Sequence, residues 1–172
     1  ISNWCSTADC DNNWTKRKKL VIANSGVSRT DYQVELTIPY VSEMQADFKD
    51  LRFVNQAGDT QYPFVYKHVN DSTSTVMLVK LPTLASGPNT LYMYYGNASA
   101  PQRQDYDGTF DWWDSFSGAA GDLNPAKWDT TGQTGIGIDG NDNMVLDGTN
   151  AGGMNIFPAN GGIDRNDPAV YQ

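Results

Sequence analysis

Lys16, Lys18, Leu20 and Ile22 occupy every second position of one short run, which Asn24-Ser25-Gly26 then stops. A period of two belongs to an extended strand with one face turned inward, because successive side chains of a strand point to opposite sides. The pattern recurs. Val34, Leu36 and Ile38 form a second alternating run, ended by Pro39. Leu51-Arg52-Phe53-Val54 reads as a third strand, with a turn at Gln56-Ala57-Gly58-Asp59 and a hairpin partner marked by Tyr62, Phe64 and Tyr66. Val76-Met77-Leu78-Val79 is almost continuously apolar up to Leu81-Pro82. After the turn at Ser86-Gly87-Pro88-Asn89, Leu91-Tyr92-Met93-Tyr94-Tyr95 is the last clear strand before Gly96-Asn97. Strands recurring every 10–15 residues or so, with turn chemistry between them and no long helical stretch, predict an all-β antiparallel sandwich. One short helix is expected over residues 42–48, where Ser42 and Gln45 have capping-box spacing.

The texture changes after Pro101. Residues 101–172 hold 12 of the 16 glycines, and three Lys/Arg stand there against eleven Asp; residues 1–100 balance nine against nine. The expected organisation is an N-terminal extension over 1–13, a sandwich over 14–104, and a Gly/Asp-rich second β unit over 105–172. Short apolar pieces at 136–138, 144–146 and 154–157 supply the second unit's strands. A glycine-rich unit of this size is marginal on its own, so it reads as incomplete or as completed by a neighbouring molecule. Residues Met154, Asn155, Ile156 and Phe157 are the candidate segment for such assembly. The formal charge of -8 repels phosphate backbones and anionic lipid, which argues against nucleic-acid binding and membrane insertion. The basic run Lys16-Arg17-Lys18-Lys19 falls in the first strand and reads as its solvated face.

Cys5 and Cys10 are the only cysteines, too few for a thiolate metal site. A small disulfide loop is the better reading, and it predicts an extracellular or cell-surface setting. The start at Ile1 reads as a mature or trimmed terminus. Sequons at Asn13, Asn70 and Asn97 are candidate glycosylation sites near turns or strand edges.

The catalytic repertoire is thin. His68 is the single histidine, and no nucleophile-elbow pattern accompanies it. Paired carboxylates for glycoside hydrolysis could be drawn from Asp111/Asp114 or Asp105/Asp107, but no pattern places one carboxyl in an apolar pocket. Gly135 and Gly137 lack the third glycine and following helix of a nucleotide site. A non-enzymatic role is therefore expected. Oxygen ligands at alternating positions make Asp139, Asn141 and Asp142 a candidate calcium loop outside the EF-hand pattern, with Asp105, Asp107 and Asp111 a second candidate cluster. Among the aromatics, Trp112, Trp113, Tyr92 and Tyr94 are the candidate sugar-stacking side chains. Alternation turns adjacent Trp112 and Trp113 to opposite sides and puts Tyr92 and Tyr94 on one face with Met93 and Tyr95 on the other, which allows one buried and one presented row, and the C–H face of a sugar packs on an exposed ring. Trp4, Trp14 and Trp128 lack periodic context.

The run from Trp14 to Asn24-Ser25-Gly26, Thr30-Asp31-Tyr32-Gln33-Val34, the stretch from Met44 to Phe53, and Leu91-Tyr92-Met93-Tyr94-Tyr95-Gly96-Asn97 together resemble the DUF2341 family over about residues 14–100. That resemblance implies a β-rich module of a secreted or surface protein, of the kind found beside polysaccharide-active, adhesive or pilus-associated regions. Phe110-Asp111-Trp112-Trp113-Asp114-Ser115-Phe116 and Leu123-Asn124-Pro125-Ala126-Lys127-Trp128 resemble the opening of a concanavalin-like jelly roll. Together these imply a binding or adhesion module for a polysaccharide or cell-surface glycan. The alternative is a structural subunit of a filament, pilus or surface layer, partnered by copies of itself.

Overall fold

The computed structural model describes residues 13–117, 120–121, 123–129, 136–146 and 157–158. The chain divides into two compact units, 1–112 and 113–172. The expected disulfide between Cys5 and Cys10, and Trp4, lie outside the described residues.

The first unit is built on six antiparallel strands: β1 (Lys16–Asn24), β2 (Arg29–Pro39), β3 (Arg52–Asn55), β4 (Phe64–Asn70), β5 (Ser74–Leu84) and β6 (Gly87–Tyr95). They form two three-stranded sheets, ordered β1-β6-β3 and β2-β5-β4. The inward rows of both sheets meet in one core. Phe53, Leu91 and Met93 come from the first sheet and Ile38, Phe64, Met77, Val79 and Leu81 from the second, with Leu20 and Ile22 at the margin. Phe53 and Phe64 meet edge to face across the two layers, 5.4 Å between centroids.

Two local expectations are corrected. Residues 42–48 form successive turns (Met44 N–H to Val41 O, Phe48 N–H to Gln45 O), with no helix. The capping box does not close because its members are engaged elsewhere: Gln45 Nε2 donates to the carbonyls of Asn97 and Ala100, and Ser42 Oγ to Glu43. The short helix of the first unit is instead α1 (Tyr106–Thr109), whose N-cap Asp105 accepts from Gly108 N–H. Nor is β4 the hairpin partner of β3. A single bridge joins Val54 to Gln61, after which the chain crosses to the other sheet. Pro63 has no N–H to continue the ladder at that point.

The continuous apolar character of β5 has a physical cause: it is central and covered on both faces. Its outer face lies under a strap, residues 103–111. Asp105 N–H donates to Phe64 O, Gln104 Oε1 accepts from Tyr66 N–H, and Gln33 Nε2 donates to Thr109 O. Lys80 then pairs with Asp111 at 3.0 Å. Val65, on the outer face of β4, is buried as a result.

At one end of the sandwich a buried carboxylate gathers the loops. Asp50 Oδ1 accepts from Gln45 N–H, Oδ2 accepts from the N–H groups of Gly96 (2.6 Å) and Asn97, and its own carbonyl accepts from Trp14 Nε1. Arg52, also buried, donates to the carbonyls of Lys49, Leu51 and Pro101. Gly96 is required where it stands: its φ is +83°, and a Cβ would come within 2.4 Å of Thr15 Oγ1. Gly96→Ala is expected to lower the unfolding free energy by about 1–3 kcal/mol with an unchanged denaturant slope. Urea titration by tryptophan fluorescence checks this, and an unchanged midpoint would refute it.

In the second unit, β7 (Trp128–Asp129) pairs with β10 (Phe157–Pro158), and β8 (Ile136–Ile138) with β9 (Met144–Leu146), both antiparallel.

Candidate functional site

The outer face of the β1-β6-β3 sheet is where Tyr92 and Tyr94 point, as alternation predicts. They do not form a sugar-stacking row. Tyr94 is only 2% exposed, clustered with Val54 beneath Trp14 and Tyr92. The Arg17 guanidinium lies 4.4 Å from the Tyr92 ring centre, and Arg52 lies 5.1 Å from that of Trp14. These cation–π contacts use the aromatics to cover the sheet.

Trp112 and Trp113 fall in different units. In the first unit Trp112 is 37% exposed at the end of the strap. Just before it, Asp111 is held by Lys80, which also lies 3.8 Å from Asp31. In the second unit Trp113 is half-buried, with Lys127 Nζ 4.3 Å from its ring centre. Trp128 there stacks on Phe116 and donates from Nε1 to Asp114. Trp112 is thus the most exposed of the four candidate aromatics.

Neither proposed calcium cluster is gathered as a metal would require. Asp139 Oδ1 accepts from the N–H groups of Asn141 and Asn143, and Oδ2 from Asn143 Nδ2, so the loop between β8 and β9 is closed by its own hydrogen bonds. Asp142 holds a φ of +60° in that turn. Asp105 caps α1 while Asp111 faces Lys80. Among the described residues, no three or more His, Cys, Asp or Glu side chains converge on a point. Of the sequons, Asn13 and Asn70 are exposed. Asn97 is buried, and its Oδ1 accepts from Ser99 N–H. His68 sits exposed beside a bulge in β4. Phe157 pairs with Asp129 inside its own unit, while Met154, Asn155 and Ile156 lie outside the described residues.

Two features were missed in the residue pattern. One is a cavity of about 70 Å³ lined by Gln61, Tyr62, Pro63, Phe64, Arg103 and Asp105, where the crossing between the sheets meets the strap. The Tyr62 hydroxyl there is pushed above its ordinary pKa by burial and by the charge of Asp59. The other is an apolar groove of about 100 Å³ between the β1 and β2 edges, floored by Leu20, Ile38, Met44 and Met93 and bordered by Lys18. A doubled aromatic signals itself in sequence; these hollows depend on which sheet each strand joins.

The fold and surface define an all-β protein whose first unit is an antiparallel sandwich. Residues 47–131 match the model of the family described as a domain of unknown function, DUF2341. The resemblance read over about residues 14–100 is shown for its part from residue 47 onward, and the match runs on to residue 131. No curated protein and no solved structure matches the chain. Among the described residues, no helix is long and apolar enough to cross a membrane.

The hydrogen bonds to Asp139 hold its carboxyl below its ordinary value of 3.8, those from Asn143 foremost. A depressed pKa stabilises the loop above the unfolded value, and this contribution is lost as pH falls through the folded one. In carboxyl-detected NMR the Asp139 midpoint should lie below 3.8 and rise toward it in Asn143→Ala. An unshifted midpoint in the parent protein would refute the closed loop.

Proposed function

We propose that this chain is a non-catalytic module of the extracellular space or cell surface that binds glycan, with Trp112 as its principal contact. The observation that carries this reading is the partly open indole of Trp112, next in the chain to Asp111, whose carboxylate pairs with Lys80. An indole face packs on the axial C–H groups of a sugar while carboxylates and an ammonium take its hydroxyls, which is the division of labour such a half-apolar ligand needs. The strap fixes the position of Trp112 by bonding to β4 and β2, so little order need be gained on binding. Affinity electrophoresis through gels containing soluble polysaccharides tests the proposal. Trp112→Ala is expected to weaken retardation about tenfold, the loss of roughly 1.4 kcal/mol. Equal retardation of parent and variant would remove Trp112 from the site, and no retardation by any polysaccharide would remove the reading.

A second reading, a structural subunit of a filament, pilus or surface layer joined by strand complementation, is favoured by a different observation. Among the described residues β1 pairs only with β6, leaving its other edge beside the apolar groove, and Val21 is 56% exposed. The lysines of that strand disfavour an equally basic neighbour and leave an uncharged or acidic strand as the occupant. Sedimentation velocity at two concentrations should then show regular polymers that Val21→Glu reduces to monomer. Monomer throughout would discard this reading.

A further inference from the structure

We propose that the β1 edge receives β9 of a second copy of this chain, a basic apolar edge on one molecule taking an acidic strand from the next. This contact rests on the strand-complementation reading and supplies the occupant that reading leaves open.

The exposed aliphatic side chains of the first unit gather on one side. Val21 stands on β1, Val27 in the connection to β2, and Val41 just after β2, where it borders the groove between the two edges. That groove, about 100 Å³, has room for one aliphatic side chain against Leu20, Ile38, Met44 and Met93. Exposed apolar side chains beside an edge strand are what an added strand covers. The same edge is basic. Lys16 reaches Glu43 only at 3.8 Å, and Lys18 and Lys19 form no ion pair among the described residues. Lys18 lines the groove itself, in the row of Leu20. A fitting occupant therefore brings one apolar side chain with carboxylates close by. A second β1 does not fit, because it sets like charges against each other.

The second unit carries the required combination. Residues 113–172 hold eight Asp against one Lys and one Arg. Among the described residues of that unit, Val145 is the one exposed large aliphatic side chain, at 41%. It lies on β9, which pairs with β8, and β8 is bridged in turn to Gly121, so β9 is the outer strand of the hairpin among the described residues. Asp139 and Asp142 stand in the turn that leads into it. Alternation turns Val145 away from the face of half-buried Met144, which makes Val145 the side chain available to a neighbour's groove. A two-stranded hairpin is marginal in water and gains by joining a larger sheet. Adding it to β1 gives the order β8-β9-β1-β6-β3 across two molecules. Such a contact joins different surfaces of the two copies, so it propagates as an open chain wherever its rotation does not close a ring.

Sedimentation velocity on the whole chain tests the pairing. The parent should form polymers that about 0.5 M sodium chloride shortens by screening the charges. Val21→Glu and Val145→Lys should each give monomer, and Val145→Ile should keep the polymers. An equimolar mixture of the two monomeric variants should form dimers and stop there, because only one intact edge and one intact strand remain to meet. Polymers of Val145→Lys as long as the parent's would overturn β9 as the occupant and spare strand complementation. A mixture that stays monomeric would overturn the pairing of β1 with β9. Polymers that lengthen in salt would overturn the charge match. A parent that is monomeric throughout would overturn the occupant and the strand-complementation reading together.

Discussion

The buried pair Asp50 and Arg52 is the constraint on which the sandwich depends. Three stretches of irregular backbone meet at that end: the turns over 42–50, the exit of β6 at Gly96 and Asn97, and the start of the strap near Pro101. Buried backbone groups must find partners, and here no ladder supplies them. A carboxylate only accepts, so Asp50 collects N–H groups. A guanidinium only donates, so Arg52 collects carbonyls. Gln45 completes the set by donating to Asn97 O and Ala100 O. Charges this deep are tolerated only when hydrogen bonds offset their lost hydration, and each such bond to a charged group contributes about 1.5–3 kcal/mol. Removing either side chain strands several backbone groups at once, so its loss reaches well beyond one contact.

That arrangement also explains why the first unit continues past its last strand. Arg52 grips Pro101, and three residues later Gln104 and Asp105 bond along β4. From there the strap crosses the outer face of β5 and ends with Asp111 at Lys80. The strap does for the β2-β5-β4 sheet what Trp14, Arg17 and Arg52 do for the other: it shields an outward row that would otherwise face water. In one sheet the cover is chain, in the other it is cation on ring.

The strands were legible because each carries a period of two or a fully apolar run, and burial on one or both faces dictates those patterns. The helix over 42–48 was misread because Ser42 and Gln45 satisfy a local rule while Gln45 is claimed by Asn97 and Ala100, more than fifty residues away. The hairpin between β3 and β4 failed for a like reason, since a turn at 56–59 does not reveal which sheet the chain enters next. Alternation put Tyr92 and Tyr94 on one face but could not show which face that was, nor that Trp14 and Tyr92 cover Tyr94 there. Arg52 in Leu51-Arg52-Phe53-Val54 was the one visible clue to the polar centre: a charge inside an apolar strand needs a buried partner set. The cavity at Gln61 had no such clue, being formed by two segments forty residues apart in sequence.

The strap also decides which irregular backbone of the first unit is held rigidly. Its first residues, Arg103 and Asp105, wall the cavity beside β4, and its last, Asp111, meets Lys80 on β5. Between them the bonds to β4 and β2 fix the segment at both ends, so the side chains that it presents are ordered before anything meets them.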